Sequence, residues 1–316
     1  LDLMSGELLW RSYAVDKPVQ QQPNSTGTIQ WGPSGAPVWG SPTVDVERRQ
    51  VYFGTGQNYS SPATPTSDAV LAVNLDTGER IWVFQTLEGD AWNAACVNSG
   101  ANCPIENGPD FDVGAAPVLV ETAEGMQFVI AGNKGGMVFA LDPDNGGLIW
   151  KKKVGRGGRK GGVHWGLSSD DARVYVGVGD LPDELDSDFG ARPGLHALDV
   201  TTGDVVWSVI TDPTCIAKSF RCYPSFSGAL TVTSGLVMAG GMDGKLHAFS
   251  TDDGTELWRF DTDRKFETVN GILGSGGSID ADGPVIADGR LVINSGYDLY
   301  GQLAGNVLLI FAVGEH

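Results

Sequence analysis

One phrase recurs five times along the chain: LDLMSGELLW (1–10), AVNLDTGERIW (72–82), ALDPDNGGLIW (140–150), ALDVTTGDVVW (197–207) and AFSTDDGTELW (248–258). Each copy reads as a strand ending in small and apolar residues, an Asp or Ser, a turn closed by Gly, and a second strand carrying Trp. The Gly supplies the positive φ of a tight hairpin. The Trp buries a large apolar face against the neighbouring unit and can donate its indole N–H to backbone. Its expected role is structural. Self-similarity of this kind narrows the fold to a stacked or circular array of small β units.

Two further short apolar runs precede each of the last four phrases. They are APVWGSPTV and VYFGTG, then VGAAPVLV and QFVIAGN, then GVHWGLSS and RVYVGVGD, then SGALTVTS and LVMAGG. Each unit is therefore four antiparallel strands, the signature of a β-propeller blade. The expected fold is all-β, one propeller domain over 1–316, with 1–10 a lone outer strand, blades at 35–84, 111–153, 161–210 and 226–262, and a three-stranded last blade at 281–313. The chain begins with a fourth strand and ends on a blade lacking one, which suits either a small ring of five closed by its own N-terminus or the C-terminal part of a larger ring. Closing five blades would widen the angle between neighbours from about 45° to about 72°, so part of an eight-bladed ring is the expectation.

Composition agrees. Glycine is abundant, at 45 of 316 residues, and long amphipathic helical patterns are missing. The formal net charge of −18 argues against nucleic acid or anionic membrane as a partner. No apolar run is long enough to span a bilayer. Cys96 and Cys103, and Cys215 and Cys222, form two local pairs of matching spacing. They suggest two loop-stapling disulfides and an oxidising compartment, periplasmic or secreted. No C-x-x-C-H occurs, so the chain attaches no c-type haem.

The A-x-D-x-x-T-G-x-x-x-W phrase resembles the tryptophan-docking motif of the quinoprotein alcohol dehydrogenases, eight-bladed propellers that hold pyrroloquinoline quinone (PQQ) and calcium on the axis. FGTGQNYS (53–60), DAWNAAC (90–96), GPDFDVGAAP (108–117), GNKGGMVFALD (132–142) and the tail from Asn294 to Val313 look closest to polyvinyl-alcohol dehydrogenase-like members. The docking phrase alone is shared with non-catalytic scaffold propellers; the combination in this order is more specific, and it covers essentially the whole chain.

The innermost strand of a blade begins near the axis. Asp112, Trp39, Trp165 and Phe226 all sit just before such strands and are expected to converge on one funnel. The resemblance implies that Trp39 stacks under the quinone, that Lys134 bonds the quinone oxygens, and that Asp112 accepts the alcohol's proton and also ligates calcium. At the family's calcium Asn this chain has Gln57 followed by Asn58, so a side-chain carbonyl survives one methylene further out. Trp165 and Asp180 are further cofactor candidates. Read without the resemblance, Asp112 is a turn residue, Asp110 a turn residue or a supporting partner of the site residues, Lys134 a solvated charge, Trp39 core and His164 a satisfied strand-end histidine. The loop SSPATPTSD (60–68) and the two cysteine loops are expected to shape the entrance.

KKKVGRGGRKGG (151–162) is a basic island in an acidic protein. It reads as a solvated loop, or as a docking surface for an acidic partner. The family's remaining site parts, a glutamate calcium ligand and an adjacent-cysteine disulfide, have no counterpart here. The expected activity is PQQ- and calcium-dependent oxidation of an alcohol, polymeric ones included, with electrons passed to cytochrome c. The alternative is a propeller scaffold that binds protein without catalysis.

Overall fold

The structure, a computed structural model, describes residues 1–181, 188–212 and 223–314. Four antiparallel four-stranded sheets follow one another along the chain. The first is Thr43–Asp45, Gln50–Gly54, Ala69–Asn74 and Arg80–Gln85. The second is Val118–Glu121, Gln127–Gly132, Met137–Leu141 and Leu148–Lys153. The third is Leu167–Ser169, Arg173–Val178, Gly194–Asp199 and Val205–Ile210. The fourth is Thr231–Thr233, Leu236–Gly240, Lys245–Ser250 and Glu256–Asp261. A three-stranded sheet, Val285–Ala287, Arg290–Ser295 and Val307–Ala312, comes last. Each is a meander, so strand order in space follows strand order in sequence. The short first strands of neighbouring sheets lie beside one another, which places them innermost.

The second, third and fourth sheets pack on both faces, which is why their middle strands are apolar runs rather than alternations, while the last sheet leaves Leu308 and Ile310 exposed on one face. Side chains still alternate in direction. In the second sheet Val129, Ala131, Phe139 and Leu141 join Tyr52, Val70 and Trp82 of the first. Ile130, Val138, Ala140 and Trp150 point the other way and join Leu167, Val174 and Val176 of the third. Two more cores link the third sheet to the fourth and the fourth to the last.

The recurrent phrase is the fastening between sheets. Trp10, Trp82, Trp150 and Trp207 donate their indole N–H to Leu75, Pro143, Val200 and Thr251 carbonyls at 3.0, 2.9, 2.9 and 3.0 Å. Each acceptor lies in the turn of the next phrase. The turn glycine there, such as Gly146, has positive φ (+71°), and a Cβ on it would fall 2.6 Å from the Trp82 ring. In four sheets the phrase's Ala pairs with its Trp next to a bulge: Ala72 with Trp82, Ala140 with Trp150, Ala197 with Trp207 and Ala248 with Trp258.

Two copies depart from expectation. Residues 1–10 form a turn, closed by Asp2 N–H on Glu7 O at 2.8 Å, and not a strand. No described strand lies alongside to pair with it, although Trp10 still docks. Trp258 is 39% exposed and packs on Phe311 at 5.5 Å, because the unit after it carries no docking phrase to receive its N–H. The Cys96–Cys103 disulfide is present, with Cys96 inside the 3-10 turn Ala94–Asn98. Cys215 and Cys222 lie outside the described residues. No helix among the described residues is long and apolar enough to cross a membrane.

Candidate active site

The segments entering the inner strands of the first three sheets meet at a cavity of about 610 Å³. Trp39, Asp110, Asp112, Lys134, His164 and Trp165 line it, joined by Trp92, Val97, Arg159, Lys160 and Tyr300 from loops.

At its floor Lys134 bridges two carboxylates. Its Nζ donates to Asp110 Oδ1 at 2.9 Å and to Asp112 Oδ2 at 3.0 Å. Asp112 Oδ1 accepts the Gln57 N–H at 2.8 Å, and the Asp112 carbonyl accepts the Lys134 N–H at 2.9 Å. All three ionic side chains are buried. Asp110 adopts φ +64° and turns its carboxylate into the cavity as an ion-pair partner of Lys134, the second of the two roles its sequence context left open. Burial works against the Lys134 charge, but the two carboxylates outweigh it and hold the ammonium's pKa above the ordinary lysine value. Burial raises the Asp110 pKa, with the Asp112 charge adding and Lys134 opposing.

The wall is aromatic. Trp39 and Trp165 meet edge to face, centroids 5.0 Å apart at 80°. Trp39 packs against Gly114, where a Cβ would come within 1.9 Å of the ring. Trp165 Nε1 is buried without a hydrogen-bond partner. His164 is satisfied, its Nδ1 lying 3.0 Å from Ser227 Oγ. Burial and the Lys134 charge push its pKa down to about 3, so its ring is neutral at physiological pH.

Three expected site residues sit elsewhere. Asn58 Oδ1 accepts from Thr64 N and Oγ1 at 2.7 and 3.1 Å, and its Nδ2 donates to Ser34 O at 3.1 Å. Its amide is spent organising the 60–68 loop and is not available as a metal ligand. Phe226 packs on His247 and Phe249 at 5.2 and 5.7 Å, in an inter-sheet core where a large apolar ring gains most. Asp180 does not line the cavity. Its carboxylate accepts the backbone N–H groups of Arg156, Gly157, Gly162 and Arg192 at 2.7, 3.0, 3.3 and 2.8 Å. Gln57 reaches the site through its backbone. Among the described residues no group of three or more His, Cys, Asp or Glu is placed to hold a metal ion.

The basic island was the least legible part. Its glycine-rich end folds back over the Lys134 turn: Gly158 N–H donates to Lys134 O at 3.0 Å and Val163 N–H to Asn133 O at 3.1 Å. Gly162, at φ +60°, packs so closely that a Cβ would lie 2.2 Å from Lys134 O. This brings Arg159 and Lys160 to the cavity. The only signal for it in the sequence is the density of glycines within the basic run.

Behind the floor lie two more acids. Asp68 and Asp90 have no exposed surface; neither oxygen of Asp68 and not Oδ1 of Asp90 has a hydrogen-bond partner. The adjacent Ser67 hydroxyl donates to Thr64 O instead, at 3.0 Å. Burial pushes the Asp68 pKa up to about 10, with the charges of Asp90 and Asp112 adding.

Residues 1–153 match the family of glucose/ethanol/alcohol dehydrogenase β-propeller domains, and residues 134–264 and 191–308 match the family described as outer membrane protein assembly factor BamB. The chain is 39% identical over 331 residues to the polyvinylalcohol dehydrogenase of Sphingopyxis sp. (strain 113P3), across 99% of this chain and 50% of that protein. It is 39% identical over 326 residues to the polyvinylalcohol dehydrogenase of a Pseudomonas sp., with the same two coverages of 99% and 50%. The fold is similar to that of the quinohemoprotein alcohol dehydrogenase from Comamonas testosteroni, with a TM-score of 0.59 at 20% identity over 88% of this chain and 48% of that one. The chain spans about half the length of the curated relatives it matches.

Proposed function

The chain belongs to the quinoprotein alcohol dehydrogenase family, and on that premise we propose that its cavity holds PQQ and serves the oxidation of an alcohol to a carbonyl. The buried Asp110–Lys134–Asp112 triad beneath a wall of indoles is the observation that carries the proposal. A flat anionic quinone calls for such a setting: aromatic faces, cations and a base. The orphaned Trp165 N–H and the open volume fit a polar, planar guest.

In this reading Trp39 and Trp165 hold the ring system and Lys134 holds the quinone oxygens. When bound, the cofactor supplies the two-electron acceptor for the carbinol hydride. The hydroxyl proton goes to Asp112. Each of its oxygens makes one bond in the structure, leaving lone pairs for a substrate hydroxyl. The Gln57 N–H and the Lys134 ammonium fix the carboxylate's plane, which is the positioning a general base needs. The neutral His164 beside Trp165 adds no competing charge.

Calcium belongs to the family expectation, but the described residues do not form a cage for it: Asn58 is engaged and Gln57 enters by its backbone. Cytochrome c as electron acceptor and a periplasmic or secreted location complete the proposal, the latter supported by the Cys96–Cys103 disulfide. The relatives' names make a hydroxylated polymer the first substrate to test. The test is titration with PQQ, read by quinone absorbance, followed by alcohol-dependent bleaching. The Asp112→Asn variant should bind PQQ and fail to bleach it. An unchanged quinone spectrum on mixing would favour a non-catalytic scaffold.

A further inference from the structure

A further cleft, of about 490 Å³, is built from parts that belong to no blade. One side is the hairpin of Val19–Pro23 and Ile29–Gly32, a two-stranded sheet of its own. The other is the disulfide loop from Ser99 to Ile105, and Ser60 and Ser61 complete the lining. Hairpin and loop are tied where Asn24 Nδ2 donates to Asn102 Oδ1 at 2.7 Å. Nine of the fifteen described residues that line the cleft are Gln, Asn or Ser, and none of them is Asp, Glu, Lys, Arg or His. The chain as a whole is 19% charged. The adjoining acid, Glu106, is already engaged: its carboxylate accepts the Ser61 hydroxyl, and the Ala63 N–H at 2.9 Å.

Several of the lining groups remain open. Gln21 Nε2 donates to Gly32 O at 3.2 Å and Gln30 Nε2 to Thr28 O at 3.0 Å, which leaves both amide oxygens as acceptors. Gln22, Ser25 and Ser99 are exposed, and their side chains make no hydrogen bond among the described residues. Amides and hydroxyls both donate and accept, which suits neutral hydroxyls, and no ion has to be desolvated to fill the cleft. Ile105, 91% exposed, adds an apolar contact.

Cleft and cavity share a wall. Trp92 and Val97 line the cavity, and Ser99 to Ile105 of the same loop line the cleft. Asn93 stitches the two together, its Nδ2 donating to Tyr59 O and to Asn102 O, both at 2.9 Å. Burial, and the charges of Asp112 and Asp110, raise the Tyr59 pKa, so its phenol stands within electrostatic reach of the cavity floor. The next two residues, Ser60 and Ser61, already belong to the cleft.

We propose that this cleft is a subsite for a neutral polyhydroxylated chain, which it holds while one of the chain's carbinols enters the cavity. The inference rests on the alcohol-oxidation reading and gives that site its substrate class. A chain that alternates carbinols with methylenes matches a lining of amides and hydroxyls with Ile105 among them. Each contact is weak, but a polymer already held in the cleft presents its remaining carbinols to Asp112 at a raised local concentration.

The experiment is a calorimetric titration of the full chain, without PQQ, with a short poly(vinyl alcohol) and with poly(acrylic acid) of matched length, at low and high salt. Saturable binding of the poly(vinyl alcohol), indifferent to salt, with the polyanion refused, is the expected result. Gln22→Ala/Ser99→Ala should weaken that binding about tenfold. Both residues are exposed, so a melt matching wild type separates lost binding from lost fold. In the PQQ-loaded chain the same variant should lose a similar factor in its preference for the polymer over pentane-2,4-diol, read by the rate of bleaching. No binding of poly(vinyl alcohol), or binding unchanged in Gln22→Ala/Ser99→Ala, overturns the subsite and leaves the PQQ reading standing on its own titration. Polymer bound through the cleft, with PQQ refused, supports the subsite and overturns that reading. A polymer preference that survives the loss of cleft binding overturns the link between cleft and cavity.

Discussion

Lys134 Nζ lies 3.0 Å from Asp112 Oδ2, and neither side chain is more than 8% exposed. The pair is closed by a second carboxylate, so the two partners are not equivalent. Lys134→Met strands Asp110 and Asp112 together without a counter-charge, and should cost about 3–5 kcal/mol at neutral pH. Asp112→Asn leaves Lys134 on Asp110 and should cost clearly less. Urea denaturation of both variants checks the asymmetry. Equal losses would mean that Asp110 contributes nothing to holding the lysine. Lys134's own folded pKa is raised, so its stabilisation is fully present below the ordinary lysine value near 10.5 and is lost as pH rises through the folded value.

The buried acids act in the same direction at lower pH. Burial raises the pKa values of Asp68, Asp90, Asp110 and Asp280 in the folded state. Above the ordinary carboxylate range the folded chain therefore holds more protons than the unfolded one, and stability falls as pH rises. For Asp68 the fall runs from about 4 towards its folded value of about 10. The expected result is greater stability at pH 5 than at pH 8. Asp68→Asn, which removes the ionisation at nearly constant shape, should lessen that slope by more than about 2 kcal/mol across the interval. Denaturation midpoints at the two pH values decide it. An unchanged slope would show that Asp68 has found a partner in solution.

Docking can be separated from turn strain by two glycines. Gly146 and Gly125 have similar φ, +71° and +81°, but a Cβ meets the Trp82 ring at 2.6 Å on Gly146 and nothing within 4 Å on Gly125. Gly125→Ala should cost only the left-handed penalty, about 1–2 kcal/mol. Gly146→Ala adds overpacking against the indole, for about 1–3 kcal/mol more. Thermal melts that fail to separate the two would mean that the indole gives way freely.

The repeat made the sheets legible because its signals are local: a turn glycine, an Asx or Ser before it and a Trp at fixed distance, repeated until chance is excluded. Asp112, Lys134, Trp39 and Trp165 were legible for a related reason, since each stands next to an inner strand or its hairpin. Trp92, Arg159, Lys160 and Tyr300 were not. They lie on loops whose course is set by remote contacts, such as the Asp180 carboxylate accepting the Arg156 and Gly162 N–H groups on the two sides of a glycine-rich bend. Charge density along 151–162 suggests a solvated run, and only the glycines within it point to an end that folds inward. Asp180 and Asn58 show the converse: both are buried near the site, but backbone partners consume their polar atoms.

Trp92 tests which anchor holds the cavity's loop wall. Its N–H donates to Asn58 O at 2.8 Å, and Asn58 pairs with Ala91 in a parallel bridge. The Cys96–Cys103 disulfide lies beyond it, spanning a sequence separation of 7. Loop-closure entropy for so short a span gives the disulfide about 2 kcal/mol. Cys96→Ser/Cys103→Ser should therefore lower the melting temperature but weaken PQQ binding no more than about threefold, with Trp92 still pinned. Asn58→Ala removes the bonds to Ser34 and Thr64 and leaves buried groups unpaired, at a cost of about 1–3 kcal/mol. It should loosen the 60–68 loop and the Trp92 wall together, weakening binding more than loss of the disulfide does. Melts and PQQ titrations of both variants read the order. The reverse order, with binding lost in the cysteine variant and kept in Asn58→Ala, would make the disulfide the element that shapes the cavity.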